Sequence, residues 1–203
     1  MELSAIQLWM SPPREDVEAT SKLIIRAITG DRAAFEEIVM LHERRVLTLA
    51  LRLLGTSEDA QDAAQEVFLR AFKYLRRFDT SKPLEPWLVR MTVNVCRESG
   101  RKRSRSRLMF VQRENAQYAD PGNNPYVQLR AEEQKRVIHD ALACLAEKER
   151  TALVLRDLEG LTTAEVAEVL GSAEATVRSQ ISVARLKMRK AIARSKGGRD
   201  VLS

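Results

Sequence analysis

Apolar residues recur at helical spacing over most of the chain. Phe35, Ile38, Val39, His42, Val46, Leu49, Ala50 and Leu53 fall on one wide helical face. Asp31 before them suits a helix N-cap, and Gly55 behind them suits the position after a C-cap. A second stripe follows Ser57: Ala60, Ala63, Ala64, Val67, Phe68, Ala71, Leu75 and Phe78. Its acids, Glu58, Asp59, Asp62 and Glu66, come early, and Arg70, Lys73, Arg76 and Arg77 come late, as the helix dipole favours. The stretch 78–86, FDTSKPLEP, reads as a constrained loop. A third helix runs from about Trp87 to Arg101, with Trp87, Leu88, Met91, Val93 and Val95 for burial and Gly100 weakening its end.

Residues 104–125 change character, with Ser104, Ser106, Asn115 and the run Asp120-Pro121-Gly122-Asn123-Asn124-Pro125. That is linker composition. Four more helices are expected beyond it: Val127–Cys144, Glu147–Leu158, Thr163–Leu170 and about Ala173–Arg194. Thr162-x-x-Glu165 is a capping box opening the third of these, and Gly171 makes the tight turn after it. The first twenty residues, with Pro12-Pro13, read as a loose tail. The expected fold class is therefore all-α: two small helical domains joined by a flexible linker.

Composition narrows the classes. The 203 residues are 44% hydrophobic, which excludes wholesale disorder, and 5% aromatic, which argues against a sandwich or barrel. Cys96 and Cys144 make no disulfide framework and lack zinc spacing; buried inert thiols are expected. His42, on the apolar face, is expected to be partly buried, and His139 to be exposed. No metal or cofactor is expected. No apolar run reaches the roughly 18 residues of a membrane span, and Met1–Asp16 lacks a basic n-region, so a cytoplasmic protein without membrane insertion is expected.

Charge points to a partner. Lys and Arg number 34 against 28 Asp and Glu, a net charge of +6. The excess is concentrated in two runs. Arg97, Arg101, Lys102, Arg103, Arg105 and Arg107 form one; Arg178, Arg185, Lys187, Arg189, Lys190, Arg194, Lys196 and Arg199 form the other. One basic run is usually a solvated face. Two runs, one per domain, read as two contacts to a polyanion. The segment Thr162–Met188 has the helix-turn-helix pattern: a short helix, a Gly turn and a longer polar-basic helix. Val166, Ala167, Leu170, Val177 and Ile181 are spaced to pack the two helices, leaving Arg178, Ser179, Gln180, Ser182 and Arg185 to project towards bases or phosphates.

With these residues in view, the chain resembles the extracytoplasmic-function group of bacterial RNA polymerase sigma factors. Gly30-Asp31-Arg32-Ala33-Ala34-Phe35 resembles the group's opening, and Asp59–Phe72, DAQDAAQEVFLRAF, its second block. Trp87-Leu88 with Asn94 and Arg101 resembles the third. Leu155–Thr162, Glu165–Gly171 and Thr176–Ser179 resemble its C-terminal helix-turn-helix. The likeness covers roughly 22–107 and 126–193 with the blocks in order.

The resemblance implies a tail at 1–21, sigma region 2 at 22–107, a linker at 108–125, region 4 at 126–195 and a tail at 196–203. Region 2 would bind core RNA polymerase through Asp62, Gln65, Glu66, Leu69 and Phe72. It would recognise and melt the −10 element through Phe78, Thr80, Ser81, Lys82, Asn94, Arg97, Arg101 and Lys102, the loop 78–86 holding an unstacked base. Region 4 would bind the −35 element through Thr176, Arg178, Ser179, Gln180, Ser182, Arg185 and Arg189. No catalysis is implied, and an anti-sigma factor is the implied regulator. The chain departs from the group's pattern at Ala146, Ser172, Ala173, Gln180 and Val183, which bears on the −35 sequence preferred rather than on the domain's identity. Two other classes stand beside this reading. A helix-turn-helix regulator with an N-terminal sensor or dimerisation domain explains 126–195 but gives no role to Gln65-Glu66 or the basic run at 97–107. A nucleic-acid enzyme lacks any clustered metal pair, Walker loop or nucleophile motif.

Overall fold

The computed structural model describes the backbone of residues 17–106 and 136–197 and the side chains of 19–101 and 136–194. They fall into two compact units, each described here by itself. Every regular element among the described residues is helical, and none of these helices is long and apolar enough to cross a membrane.

The N-terminal body holds α1 (Val17–Ile28), α2 (Arg32–Leu54), α3 (Ser57–Tyr74) and α4 (Leu84–Ser106). Local chemistry sets the boundaries. Asp31 caps α2 by accepting from the Ala34 N–H at 3.2 Å, and its other oxygen takes Nε and Nη2 of Arg26 at 2.9 and 2.7 Å. Those bonds, the Arg26 ones foremost, hold the Asp31 carboxyl below its usual range. Gly55 ends α2 at φ 90°, where an L side chain would be strained, and its N–H reaches the Leu51 carbonyl at 2.9 Å. Thr56 then caps α3 through the Asp59 N–H. Ile24, Ile38, Leu49, Val67, Leu84, Val93 and Val95 are fully buried, each worth about 1.5–3 kcal/mol of burial. Thr92 is buried with them; its hydroxyl donates to the Leu88 carbonyl at 2.8 Å and so leaves no donor unmet.

Two ion pairs tie α4 to its neighbours. Arg45 of α2 meets Glu85 at 2.6 Å, beside the buried His42, and Arg70 of α3 meets Glu98 at 2.8 Å. Phe78 stacks on Trp87 with ring centroids 5.1 Å apart. The pairings 78 with 87 and 70 with 98 run in opposite directions along the two segments, so α3 and α4 are antiparallel.

Two boundaries differ from expectation. The loose tail placed over 1–21 gives way to α1, which starts at Val17 and buries Thr20 and Ile24; residues 1–16 lie outside the described residues. Pro12-Pro13 had drawn that boundary too far along the chain. α4 begins at Leu84 rather than Trp87, because Pro86 sits in the first helical turn, whose N–H groups need no intrahelical acceptor.

The C-terminal body holds α5, described over 136–143, then α6 (Glu147–Leu153), α7 (Thr163–Leu170) and α8 (Glu174–Gly197). The earlier part of the expected Val127–Cys144 helix and the linker 108–125 lie outside the described residues, as do residues 198–203 of the expected tail. The expected helix Glu147–Leu158 changes pitch: over Val154–Leu158 the turn widens to π spacing. There the Glu159 N–H reaches the Val154 carbonyl at 2.9 Å, and Arg156 Nη1 donates to the Leu161 carbonyl at 3.0 Å. The Thr162–Glu165 box forms as read: Glu165 N–H donates to Thr162 Oγ1 at 3.2 Å, and Thr162 N–H to Glu165 Oε2 at 2.7 Å. At Ala146 only half of such a box is possible. Its N–H donates to Glu149 Oε2 at 3.2 Å, but alanine has no acceptor to return.

Ala141, Leu142, Leu145, Leu153, Leu155, Val166, Val177 and Ile181 form the core of this body. Cys96 is buried and its thiol is pushed up to about 12 by loss of water, as an inert thiol should be. Cys144 is exposed, contrary to expectation, because α5 ends before it and the turn carries it outward. His139 is half-buried rather than exposed.

Candidate functional site

α3 presents the residues assigned to protein docking. Ala60, Ala63, Ala64, Val67 and Ala71 face the core, so residues about half a turn round face solvent. Asp62 and Gln65 are exposed, as are Leu69 (60%) and Phe72 (55%). Glu66 differs: it is half-buried, and its carboxylate accepts from Arg70 Nε at 2.6 Å. Arg70 also donates to both Glu98 oxygens at 3.1 and 2.8 Å, so Glu66 is engaged in an internal network. These two carboxylates raise the Arg70 pKa. Phe72 stands edge-on to Phe35 at 5.0 Å, which fixes its ring while leaving much of it in water. Met40 and Leu41 of α2 add further exposed apolar surface that the periodicity alone did not single out.

The loop after α3 is organised by Asp79, a residue the sequence reading passed over. Its carboxylate accepts from the Ser81 N–H at 3.1 Å and from Ser81 Oγ at 2.7 Å, and its carbonyl accepts from the Lys82 N–H at 3.0 Å. The Ser81 bonds hold the Asp79 carboxyl below its usual range. An Asp two residues before a Ser is the sequence signal of such a turn. Ser21 of α1 donates to the Thr80 carbonyl at 3.1 Å and braces the loop from the other side. Rigidity therefore comes from Asp79 and α1 together with Pro83, which lies in the loop just before α4, whereas Pro86 is helical. Phe78 is half-buried against Trp87, Thr80 is half-buried, and Ser81 and Lys82 are exposed. On α4, Asn94 and Arg101 are exposed and Arg97 is half-buried; the Lys102 side chain lies outside the described residues.

The end of α3 and the turn after it carry an aromatic ring with two cations against it. Tyr74 is exposed, with Lys73 Nζ 5.5 Å and the Arg77 guanidinium 5.8 Å from its ring. A ring flanked by cations beside the loop suits an unpaired nucleobase.

α8 is the candidate recognition helix. Val177, Ile181 and Ala184 are buried and set its inner face. Thr176, Arg178, Ser179, Ser182, Arg185 and Arg189 are exposed, whereas Gln180 is half-buried beside the inner face. The cations are oriented by acids. Arg178 meets Glu174 at 3.2 Å one turn earlier. Arg185 is held bidentately by Asp157, Nε and Nη2 at 2.8 and 2.6 Å, and this carboxylate raises its pKa. Lys187 contacts both oxygens of Glu149 at 2.8 Å and pulls that carboxyl down. The widened turn that follows α6 is what carries Asp157, and spacing along the chain could not reveal a pair 28 residues apart. The Ala173 carbonyl accepts the first α8 bond, from the Val177 N–H at 3.1 Å, so the cap position carries a side chain with no acceptor.

Comparison with known proteins places both bodies. Residues 38–106 match Sigma-70 region 2, and residues 135–188 match Sigma-70 region 4. The chain is 30% identical to the RNA polymerase sigma-H factor of Pseudomonas aeruginosa, over 86% of this chain and 94% of that protein. It is 33% identical to the ECF RNA polymerase sigma factor SigE of Mycolicibacterium smegmatis, over 92% and 72% respectively. Among solved structures, CnrH in complex with the cytosolic domain of CnrY matches with a TM-score of 0.60 at 26% identity, covering 86% of this chain and 97% of that one. The fold is also that of the sigma factor RpoE from Bartonella quintana, solved with the anti-sigma factor NepR, at a TM-score of 0.64, 22% identity and coverage of 78% and 96%. Two helical bodies matching regions 2 and 4 in order, and relatives matched over most of their length, establish that the chain belongs to the extracytoplasmic-function RNA polymerase sigma factors.

Proposed function

We propose that this chain works as a dissociable specificity subunit in the cytoplasm, without catalysis of its own, and that its two bodies divide the promoter. In this reading the domains keep the bounds 22–107 and 126–195, with α1 extending the first towards Val17. Asp62, Gln65, Leu69 and Phe72 form the face for core RNA polymerase, Glu66 supporting it through Arg70. Phe78, Thr80, Ser81 and Lys82 form the pocket for an unstacked −10 base, and Asn94, Arg97, Arg101 and Lys102 track the adjoining duplex. Thr176, Arg178, Ser179, Ser182, Arg185 and Arg189 meet the −35 element, with Gln180 at the edge of that face. An anti-sigma partner covering these surfaces is part of the proposal, supported by the RpoE neighbour solved with one.

The observation that carries the reading is that region 2 and region 4 matches lie on one chain, each on a body with an exposed face of fitting chemistry. The test is run-off transcription with core polymerase on a random-promoter library. Discrete start sites that need this chain are expected, sharing sequence near −10 and −35. Initiation unchanged by its addition contradicts the proposal.

A further inference from the structure

On the outermost row of α8, the stretch from Ser179 to Leu186 carries no charge. Ser179, Val183 and Leu186 follow at i, i+4 and i+7, opposite the buried Val177, Ile181 and Ala184. Val183 is 39% and Leu186 48% exposed; between Thr176 and Lys190 the other exposed residues of α8 are Arg, Lys, Ser and Thr. Arg178, Arg185 and Arg189 line one flank, and Lys190 is exposed on the same outer side. On the second helix of a helix-turn-helix, an apolar pair with cations around it faces DNA. It fits the major groove, where cations meet phosphates and the one apolar group on any base edge is the thymine 5-methyl.

We propose that Val183 reads a thymine 5-methyl in the −35 element, with Ser179 and Ser182 beside it as polar contacts. This rests on the reading of α8 as the −35 helix. Val183 is chosen over Leu186 because base-edge contacts gather towards the N-terminal part of a recognition helix. Glu174 and Asp157 hold Arg178 and Arg185 on that one flank, clear of the row that carries Val183.

The test uses the full chain with core polymerase on a promoter drawn from the library. Each −35 thymine, on either strand, is replaced singly by deoxyuridine, which removes only the methyl. Open-complex formation is then measured for the native chain, Val183→Thr, which keeps one methyl, and Val183→Ser, which keeps none. At one position deoxyuridine should weaken the native complex about fourfold, the scale of burying one such group. The loss should persist in Val183→Thr and vanish in Val183→Ser. A native chain indifferent to deoxyuridine at every −35 position overturns the proposal, as does a selected −35 element without thymine. A loss equal in Val183→Ser overturns it too. Weakened assembly with core polymerase in Val183→Ser, with the promoter response unchanged, gives the row to a protein partner instead. If the native chain directs no initiation at all, the −35 reading itself fails; initiation that ignores deoxyuridine sinks only this inference.

Discussion

The two bodies are both helical, yet they leave different chemistry on their surfaces. The N-terminal body exposes large apolar side chains on three helices, Ile25, Met40, Leu41, Leu69, Phe72 and Tyr74, while its Arg70 is held internally between Glu66 and Glu98. Among its described residues, the C-terminal body exposes only Val183 and Leu186 as large apolar side chains, set within a cationic helix. Apolar surface left in water marks protein docking, and cationic helix faces mark polyanions. In the proposed reading, the contrast separates the apolar face for the polymerase on the first body from the −35 face on the second.

The strongest challenge to that separation is a charge placed on the apolar face. Leu69→Asp should weaken core-polymerase binding roughly thirtyfold or more, as loss of a central anchor does, with the unfolding midpoint unchanged because Leu69 is outside the core. Titration of labelled core polymerase checks it; unaltered affinity would move the docking face to Met40 and Leu41. On the other body, Arg178→Ala should cost about 1–3 kcal/mol of −35 binding if it meets a base, with core binding unaffected. Promoter competition at fixed salt measures this.

Smaller effects sharpen how each face is held. Gly171→Ala should destabilise the C-terminal body by about 1–2 kcal/mol, because φ is +60° there. No atom lies within 4 Å of the added carbon, so the cost is backbone strain alone. Thr162→Ala should cost about 1 kcal/mol in urea unfolding through the lost cap. It also carries a pH signature. Thr162's bonds depress the Glu165 carboxyl from its ordinary 4.5, so this stabilisation is complete above that value and is lost as pH falls through the lower folded value. The variant keeps the Thr162 N–H bond, the larger cause of that shift, and loses only the hydroxyl bond, so its stability should fall slightly less steeply with acid below 4.5 than the native chain's. Asp157→Asn removes a half-exposed pair and should cost under about 1 kcal/mol of stability, while loosening Arg185 and weakening −35 binding.

Much of this architecture was legible because its signals are local. Asp31, Gly55, Thr162, Glu165 and Gly171 act within four residues of themselves, and the structure uses each as the sequence suggests. α1 was hidden by the prolines ahead of it, and the start of α4 by a proline that proved helical. The widened turn at Val154–Leu158 has no compositional mark, and the Asp157–Arg185 pair needs tertiary distance to be seen. On the docking face, helical phase did separate Leu69 and Phe72 from the buried Val67 and Ala71. It could not show that Glu66 points to Arg70, or that Asp79 ties the loop together.

The most direct test of the division of labour is promoter binding with and without core polymerase at physiological salt. The account predicts tight, sequence-selective binding only when core enzyme is present, abolished by Leu69→Asp and weakened by Arg178→Ala. Nanomolar selection of a duplex site by the chain alone, indifferent to Leu69→Asp, would contradict it.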